Sequence, residues 1–388
     1  MSDPLDGIHV IDTDTHWSEP PDLWTSHAPA SWKTRVPHVR EIDGQDRWIV
    51  DDDVDIGPAM PLSVIRKDGT KAIGLDWFGW RHGDTHEAAW DVKARLEMMD
   101  QLGIFANVVY PNVAGFGSQN FQKIPDDELR MVCVRTYNDA MCEVQRQSGG
   151  RLFPMALVPW WDLPNAVAEV RRCHEMGMRG VVTTSDPHTA GLPDLGTTDW
   201  DPLWDICAQL SMPINFHIGA SEISLSFFSN ASWPSLEGAR QFLVGGTDLG
   251  MSNARVLSNL IVSGVPDRFP TLKFVSVESG IGWLPFHLEM LDYQLEQTAP
   301  GLLDSKPSEI FRRQIYATFW FESMTPKHLL GEIGVENVMF ETDFPHATCL
   351  YPDGREHLTK VMADVDAYAR KRVLQDNAAE LYRIELPN

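Results

Sequence analysis

Short apolar segments rich in Val, Ile and Phe alternate along the chain with longer segments in which apolar residues recur at helical spacing. This alternation is typical of parallel strands connected by helices, because both faces of a parallel sheet are buried. Eight segments fit the strand pattern: residues 9–14, 106–110, 152–158, 180–184, 214–217, 272–278, 314–321 and 337–342. Seven helical segments lie between them: residues 94–102, 126–147, 164–176, 201–210, 239–263, 285–297 and 326–333. The pattern predicts an α/β fold, a closed (β/α)8 TIM barrel.

Two further features define the predicted domain. In the helix DLPNAVAEVRRCHEMG, Asp162 is placed to cap the start and Gly177 to end the last turn. Residues 17–90 are too many for a strand-to-helix loop and are rich in Pro, Asp and Trp. We therefore expect a single barrel domain over residues 1–388, with an insertion at 17–90 that contains a hairpin around RWIVDDDVDI and covers the barrel mouth.

The amino-acid composition excludes several classes of binding partner. Of 388 residues, 43% are hydrophobic and 22% are charged, which is typical of a globular protein with a large core. The formal net charge of -23 argues against nucleic acid and anionic membranes as partners, because a field of that sign repels polyanions. The five cysteines form no CxxC pair, the amino terminus lacks the pattern of a signal peptide, and no apolar run approaches ~18 residues. These features predict a cytoplasmic protein with reduced thiols.

The chemistry is expected at the carboxyl ends of the strands, where barrel enzymes place their active sites. IDTDTH ends the first strand and puts its acidic residues and His16 at alternate positions on one face. The residues of interest at the ends of strands one, five, six and eight are Asp12, Asp14, His16, His217, Glu278 and Asp343.

Four of these residues suit a divalent cation. A borderline ion such as Zn²⁺ or Mn²⁺ takes imidazole nitrogens and carboxylate oxygens together. Asp14, His16, His217 and Asp343 supply two of each. A single one of them has a simpler structural explanation, such as a turn-initiating Asp. Their joint occurrence at the ends of three strands predicts one metal site.

The chain resembles the amidohydrolase-related family typified by aminocarboxymuconate semialdehyde decarboxylase, and it is similar to the 2-hydroxybenzoate-type decarboxylases. The resemblance extends over nearly the whole chain. The segments that carry it are IDTDTHWSEP, YNDAMCEVQRQSGGRLFPMALVPWWDLPNAVAEVRR, GMRGVV, MPINFH, PTLKFVSVESGIGWLP, ENVMFETDFPH and DNAAELYRI.

The resemblance implies a metal held by Asp14, His16, His217 and Asp343. The chain departs from the commonest family pattern twice. It has Asp-x-His at the first strand, as in the aromatic-acid decarboxylases, where many relatives have His-x-His. It has Glu278 after the sixth strand, where those decarboxylases have a His, which leaves the acid/base group open. The resemblance also implies a homodimer.

Three functions remain open at this point. The first is nonoxidative decarboxylation of an aromatic or enolic acid, in which Asp343 or a neighbour delivers a proton to carbon. The second is hydrolysis of an amide, lactone or C–C bond by metal-activated water, with Asp343 or Glu278 as the base and His217 also in the catalytic set. The third is a barrel without catalysis. Asp14 favours the decarboxylase slightly, whereas an anionic Glu278 favours hydrolysis.

A small aromatic or cyclic substrate is expected, because the chain has 14 tryptophans, several of them near strand ends. The candidates for substrate contact are His346, His188, Trp17 and Trp283. No cationic clamp for a carboxylate stands out near the predicted ligands.

Overall fold

Parallel strands surrounded by helices make up most of the chain, and a computed structural model describes its residues 3–230 and 232–387. The strands are β1 (Val10–His16), β2 (His38–Ile42), β3 (Gln45–Val50), β4 (Val54–Pro58), β5 (Ile104–Tyr110), β6 (Leu152–Pro154), β7 (Ala156–Leu157), β8 (Val181–Val182), β9 (Ile214–His217), β10 (Phe274–Val277), β11 (Ile315–Phe319) and β12 (Val338–Phe340). The helices are α1 (Leu23–His27), α2 (Val92–Leu102), α3 (Asp127–Gln147), α4 (Leu163–Glu175), α5 (Asp201–Gln209), α6 (Glu222–Asn230), α7 (Ala239–Gly250), α8 (Asn253–Val262), α9 (Val265–Arg268), α10 (Leu284–Thr298), α11 (Pro307–Gln314), α12 (Met324–His328), α13 (Leu330–Ile333), α14 (Gly354–Met362), α15 (Ala367–Lys371) and α16 (Asn377–Tyr382).

The parallel strands close into a barrel. They pair in the orders β1-β5-β6 and β7-β8-β9-β10-β11-β12. Only Met155 separates β6 from β7, and its N–H donates to Val109 O at 2.9 Å, so the two segments form one strand. On the other side, Thr15 bridges Phe344 in parallel and Asp343 N donates to Asp14 O at 2.9 Å, which joins the first strand to the last. The predicted eight-stranded (β/α)8 barrel is confirmed.

The predicted insertion after the first strand is also present. It contains α1 and an antiparallel sheet in the order β2-β3-β4, and its β3–β4 hairpin is the one expected from RWIVDDDVDI. Val64 N in the insertion donates to Pro345 O at 2.9 Å. Val64 and Ile65 also pack in a small apolar cluster with Phe344. The insertion therefore contacts the loop that follows the last barrel strand.

Helix boundaries follow local chemistry in part. Asp162 accepts a hydrogen bond from Asn165 N at 3.2 Å at the start of α4, and Gly177 follows the end of that helix with φ 98°, as predicted. The helix expected at 239–263 is instead two helices, α7 and α8. At the start of α8, the side-chain amide of Asn253 donates to Phe216 O (2.9 Å) and Ser276 Oγ (3.1 Å), which ties this point of the chain to the barrel strands. The helices α1, α6, α9, α11 and α14 to α16 were not predicted.

One hydrophobic core fills the barrel and the space between strands and helices, with Trp24 and Trp204 among its largest fully buried side chains. None of the helices within the described residues combines the length and the apolar character that a membrane crossing requires.

Candidate metal centre

The first strand aims its acidic and imidazole groups at the barrel axis. All seven residues of β1 are buried. The hydroxyl groups of Thr13 and Thr15 donate to Phe340 O (2.8 Å) and Val108 O (2.9 Å) on the neighbouring strands. Because side chains alternate along a strand, Asp14 and His16 point the other way, into the barrel.

Three predicted ligands meet at this place. His16 Nε2 lies 3.4 Å from Asp14 Oδ1, and His217 Nε2 lies 3.1 Å from His16 Nε2 and 3.6 Å from Asp14 Oδ2. His217 Nδ1 donates to Ile218 O at 2.7 Å. In a neutral ring this hydrogen bond leaves a lone pair on Nε2, which faces the other two side chains.

Glu278 joins the same group from the end of β10. Its Oε2 is 3.2 Å from His217 Nε2. Its backbone lies in the left-handed region with φ 55°, a conformation that costs free energy for a residue with a Cβ. The Glu278 N–H donates to Thr318 Oγ1 at 3.1 Å and to Glu341 Oε2 at 3.3 Å. These hydrogen bonds fix the turn that directs the Glu278 carboxylate inward.

Asp343, just beyond β12, also has a left-handed backbone, with φ 59°. Its Oδ1 is 3.8 Å from His16 Nε2, and its Oδ2 accepts a hydrogen bond from Thr348 Oγ1 at 2.9 Å. His346 Nδ1 lies 3.0 Å from the same Oδ1. The His346 ring stacks on His16 at 3.7 Å between centroids, so His346 contacts the cluster directly.

Burial and crowding set the protonation of these groups. Burial raises the pKa of Asp14 well above its usual value, and the charges of Asp343 and Asp12 raise it further. Burial, Asp343 and Asp14 likewise raise the pKa of Glu278. Burial lowers the pKa of His217 to about 4, so its ring is neutral at neutral pH. Without a positive charge among them, these carboxyl groups retain protons.

The donor atoms fit a divalent cation. Both carboxylate oxygens of Asp14 and Oδ1 of Asp343 are buried without a hydrogen-bond partner among the described residues, which is costly unless an ion binds them. Two overlapping sets each have one ligand atom per residue within 4.8 Å of the others: Asp14, His16, His217, Glu278 and His16, Glu278, Asp343, His346. Neutral imidazoles with carboxylates are the ligands that Zn²⁺ and Mn²⁺ accept.

The other residues predicted to contact substrate are more scattered. Trp17 is buried, with its ring 5.6 Å from the Arg95 guanidinium carbon. Trp283 Nε1 donates to Ser279 O at 2.8 Å, beyond the end of β10. His188 is exposed on a short 3-10 helix, and within the described residues no hydrogen bond or ring contact joins it to the cluster. The structure therefore brings His346 to the site and leaves His188 at the surface.

Three residues near the site were not predicted. Phe116 stands over the two histidines, with its ring 4.2 Å from that of His217 and 5.0 Å from that of His16. The Oδ1 atom of Asn112 lies 3.0 Å from His346 Nε2. Glu341 had a signal in the sequence, since it lies two residues before Asp343 and so on the same side of the chain. The loop after β5 that carries the other two has no periodic pattern.

Comparison with known families agrees with this geometry. A family model described as amidohydrolase matches residues 11–384. The chain belongs to the amidohydrolase family. This membership confirms the resemblance inferred from the sequence motifs, and this amidohydrolase is accordingly an enzyme of that family.

Among its relatives is a gamma-resorcylate decarboxylase from a Polaromonas species, 24% identical over 302 residues that cover 75% of this chain and 86% of the relative. An amidohydrolase structure from Mycobacterium avium subsp. paratuberculosis superimposes with a TM-score of 0.76 at 23% identity, covering 97% of this chain and 99% of the other. A dihydroxybenzoic acid decarboxylase from Polaromonas, determined with manganese and 2-nitroresorcinol, gives 0.65 at 18% identity with 97% of each chain covered. At these identities the structural matches establish the fold.

Proposed function

We propose that this amidohydrolase catalyses metal-dependent, nonoxidative decarboxylation of a hydroxylated aromatic acid. The observation that carries the proposal is the match over three quarters of the chain to gamma-resorcylate decarboxylases, taken with the first-strand pair Asp14 and His16. In the reaction the bond between the ring and the carboxylate breaks, the ring carbon takes up a proton, and carbon dioxide leaves.

The residues proposed to hold the cation are Asp14, His16, His217 and Asp343, with Glu278 beside them. Manganese is the proposed ion, because the matched dihydroxybenzoic acid decarboxylase was determined with manganese bound. Zinc is the alternative, since the ligand types suit both ions. When bound, a divalent cation supplies a Lewis acid that attracts the carboxylate and the adjacent hydroxyl of the substrate.

Side chains of the protein supply the remaining interactions with the substrate. Phe116 offers an aromatic surface within 4.2 Å of the His217 ring, against which a substrate ring can lie. Asp343 and His346, whose Oδ1 and Nδ1 are 3.0 Å apart, are the proposed proton-transfer pair on the other side. Burial of the cluster excludes water, which strengthens each of these interactions.

Hydrolysis is the second candidate, and Glu278 favours it. The carboxylate lies 3.2 Å from His217 Nε2, so it is within reach of any group bound between the histidines. There it would take the proton from an attacking water, and its negative charge would oppose a second carboxylate from the substrate. The substrate would then be an uncharged compound with a hydrolysable amide, lactone or C–C bond rather than an acid.

The deciding experiment uses enzyme reconstituted with Mn²⁺, and separately with Zn²⁺, on 2,6-dihydroxybenzoate, other hydroxybenzoates, lactones and amides. Carbon dioxide release from a hydroxybenzoate, absent in the His217→Ala variant, supports the decarboxylase. Oxygen-18 from labelled water in the product, without carbon dioxide, refutes it and supports the hydrolase. Activity that survives a chelator would refute both.

Two structural proposals accompany the function. We propose that residues 17–90 cover the barrel mouth, supported by the bond from Val64 N to Pro345 O and by Glu19, whose Oε1 accepts from Asn112 N at 2.9 Å. We also propose a homodimer, as the family resemblance implies. Sedimentation velocity tests the dimer, and protease protection of the insertion by a bound hydroxybenzoate tests the cover.

A further inference from the structure

Phe116, in the loop after β5, carries the aromatic ring that lies over the two ligand histidines. Its ring centroid is 4.2 Å from that of His217 and 5.0 Å from that of His16. The ring is half-buried, so part of it stays accessible to a substrate. Because β5 ends at Tyr110 and a 3-10 helix begins only at Gln119, Phe116 belongs to no strand or helix. The position of its ring therefore depends on what holds the loop.

Gly117, the next residue, passes through a narrow gap between neighbouring loops. A Cβ atom on it would overlap Ala220 O and lie 2.8 Å from Thr184 Cα, so glycine is required there. Its backbone O accepts a hydrogen bond from Trp160 Nε1 at 2.7 Å. Because these three partners follow β9, β8 and β7, the loop that carries Phe116 is seated against three strand ends.

Gln119 joins this loop to the one after β9 through both atoms of its side-chain amide. Its Oε1 accepts a hydrogen bond from Gly117 N at 2.8 Å, and its Nε2 donates to Gly219 O at 2.8 Å. A backbone N–H can only donate and a backbone carbonyl can only accept, so these partners fix which way the amide points. Gly219 also contacts the ring, since a Cβ atom on it would lie 3.3 Å from Phe116 Cδ2. Gln119 therefore ties together two backbone segments that both adjoin the Phe116 ring.

We propose that Gln119 is a positioning residue: by tying Gly117 to Gly219 it fixes the Phe116 ring, which then selects a planar aromatic substrate over a saturated ring with the same groups. Two aromatic rings in an offset or edge-to-face arrangement attract each other beyond the contact area that they bury, and a puckered ring cannot reproduce this. The substrate part of the inference rests on the proposed decarboxylase function. The tie between the loops does not, because every contact that defines it lies within the chain.

Hydrogen exchange tests the tie without substrate or metal. Amide exchange is followed by mass spectrometry with fragmentation that resolves the Gly117 N–H. Gln119→Met keeps the side-chain length and removes both hydrogen bonds, so exchange at Gly117 should be at least ~5-fold faster than in the wild type. Gln119→Glu should also exchange faster, because its second carboxylate oxygen faces Gly219 O, which cannot donate to it. Unchanged exchange in Gln119→Met overturns the proposal.

Asn120→Ala is the matched control. Asn120 follows Gln119 in the chain, and its side-chain Nδ2 likewise donates to a backbone carbonyl, that of Val113 at 3.0 Å, within the same loop. Among the hydrogen bonds of the described residues, it makes none to the loop after β9. Exchange at Gly117 should stay at the wild-type rate in this variant. An equal acceleration in both variants would assign the effect to the loop as a whole and overturn the role of Gln119.

Binding to the Mn²⁺-loaded protein tests what the Phe116 ring selects. The ligands are 2-hydroxybenzoate and 2-hydroxycyclohexanecarboxylate, which carry the same two groups on a flat and on a puckered ring. Phe116→Leu should weaken the first ligand ~2- to 10-fold and the second little. Gln119→Met should do the same with unchanged metal content. In the Phe116→Leu background, Gln119→Met should add nothing, because its effect passes through the ring.

The coupling between the two substitutions separates a positioning role from a general structural one. Additive effects, or loss of metal in Gln119→Met, would mean that Gln119 acts through another group such as His217, and would overturn the proposal. A wild type that binds the two ligands equally, or binds neither, overturns the selection by Phe116. A wild type that prefers 2-hydroxybenzoate but decarboxylates no hydroxybenzoate refutes the proposed function alone.

Discussion

Glu278 provides the sharpest test of the carboxylate cluster, because replacing it with Gln removes one charge and little volume. Its ligand oxygen lies within 4.8 Å of an oxygen of Asp14 in one set and of Asp343 in the other. At an effective dielectric constant of about 20, two unit charges at that distance repel by about 3.5 kcal/mol. Because Asp14 holds a proton in the metal-free protein, ionised Glu278 would experience this repulsion of about 3.5 kcal/mol from Asp343, and its burial adds a further cost.

A proton relieves this repulsion at lower cost. Protonating a carboxyl group of ordinary pKa 4.5 at pH 7 costs roughly 3 kcal/mol. Because that is less than the repulsion, Glu278 holds a proton in the metal-free protein, and folding incurs this cost. Glu278→Gln needs no proton, so we expect the metal-free variant to be roughly 3 kcal/mol more stable at pH 7.

The stabilisation by Gln depends on pH because the folded protein raises the pKa of Glu278. The pKa of Glu278 is raised in the folded protein by burial, Asp343 and Asp14, so the cost is absent below the unfolded value of 4.5 and grows as the pH rises above it. The stabilisation by Gln should follow the same course and vanish near pH 4. With an unfolding entropy of ~2 cal/mol/K per residue, the gain at pH 7 corresponds to about 4 °C in Tm.

The assay is urea and thermal unfolding of both proteins in a chelator at several pH values, with metal affinity measured separately. The exposed Glu289→Gln on α10 is the control and should change neither quantity. With Mn²⁺ present the order should reverse, since the variant lacks a carboxylate beside the ion and should bind it more weakly. A metal-free variant as stable as the wild type at pH 7, with unchanged metal affinity, would refute the reasoning and place Glu278 outside the cluster.

Three further predictions concern the same centre. His217→Ala should lose bound metal and activity together while keeping its far-ultraviolet circular dichroism; elemental analysis that finds wild-type metal content would contradict the assigned role. Because burial and neighbouring charges raise the pKa of Asp14 and Glu278, metal binding should release protons and tighten as pH rises, which calorimetry in buffers of different ionisation enthalpy measures. Thr348→Val removes the hydrogen bond to Asp343 Oδ2 and should weaken metal binding ~10-fold, with Thr348→Ser close to wild type in the same titration.

The barrel strands could be predicted from the sequence because each is a short apolar run buried on both sides. The residues at which the sixth and eighth strands end could not be predicted in this way. The pattern extended these strands to Glu278 and Thr342, whereas the strands end at Val277 and Phe340. Glu278 and Asp343 then adopt left-handed backbone conformations that contacts from other strands hold in place, such as those of Thr318 and Glu341 with Glu278 N. No local preference of Glu or Asp indicates such a turn.

The candidate site likewise combines residues that the sequence indicated with residues that only the folded chain brings together. Asp14, His16, His217 and Asp343 were named from their positions at strand ends, and the structure brings them together, although the role of each stays a proposal. His346 was placed near the substrate without a reason to prefer it to His188, whose sequence position looked equivalent. The difference lies in the β5 loop, where Asn112 meets the His346 ring, and that contact joins residues 234 positions apart.

The electrostatics of the candidate metal centre follow from its many carboxyl groups. Burial raises the pKa of Asp12, Asp14, Glu278 and Glu341, and the charge of Asp343 raises the pKa of the last three further. Arg95 is a buried cation, but its guanidinium donates to the backbone oxygens of Ala88 and His16 and to none of these carboxyl groups among the hydrogen bonds of the described residues. A cluster of this kind gains its full electrostatic stabilisation only from an added cation. The carboxyl groups that must hold protons in the metal-free barrel therefore favour a cation there, and under the proposed function a substrate acid would bind through that cation rather than through Arg95.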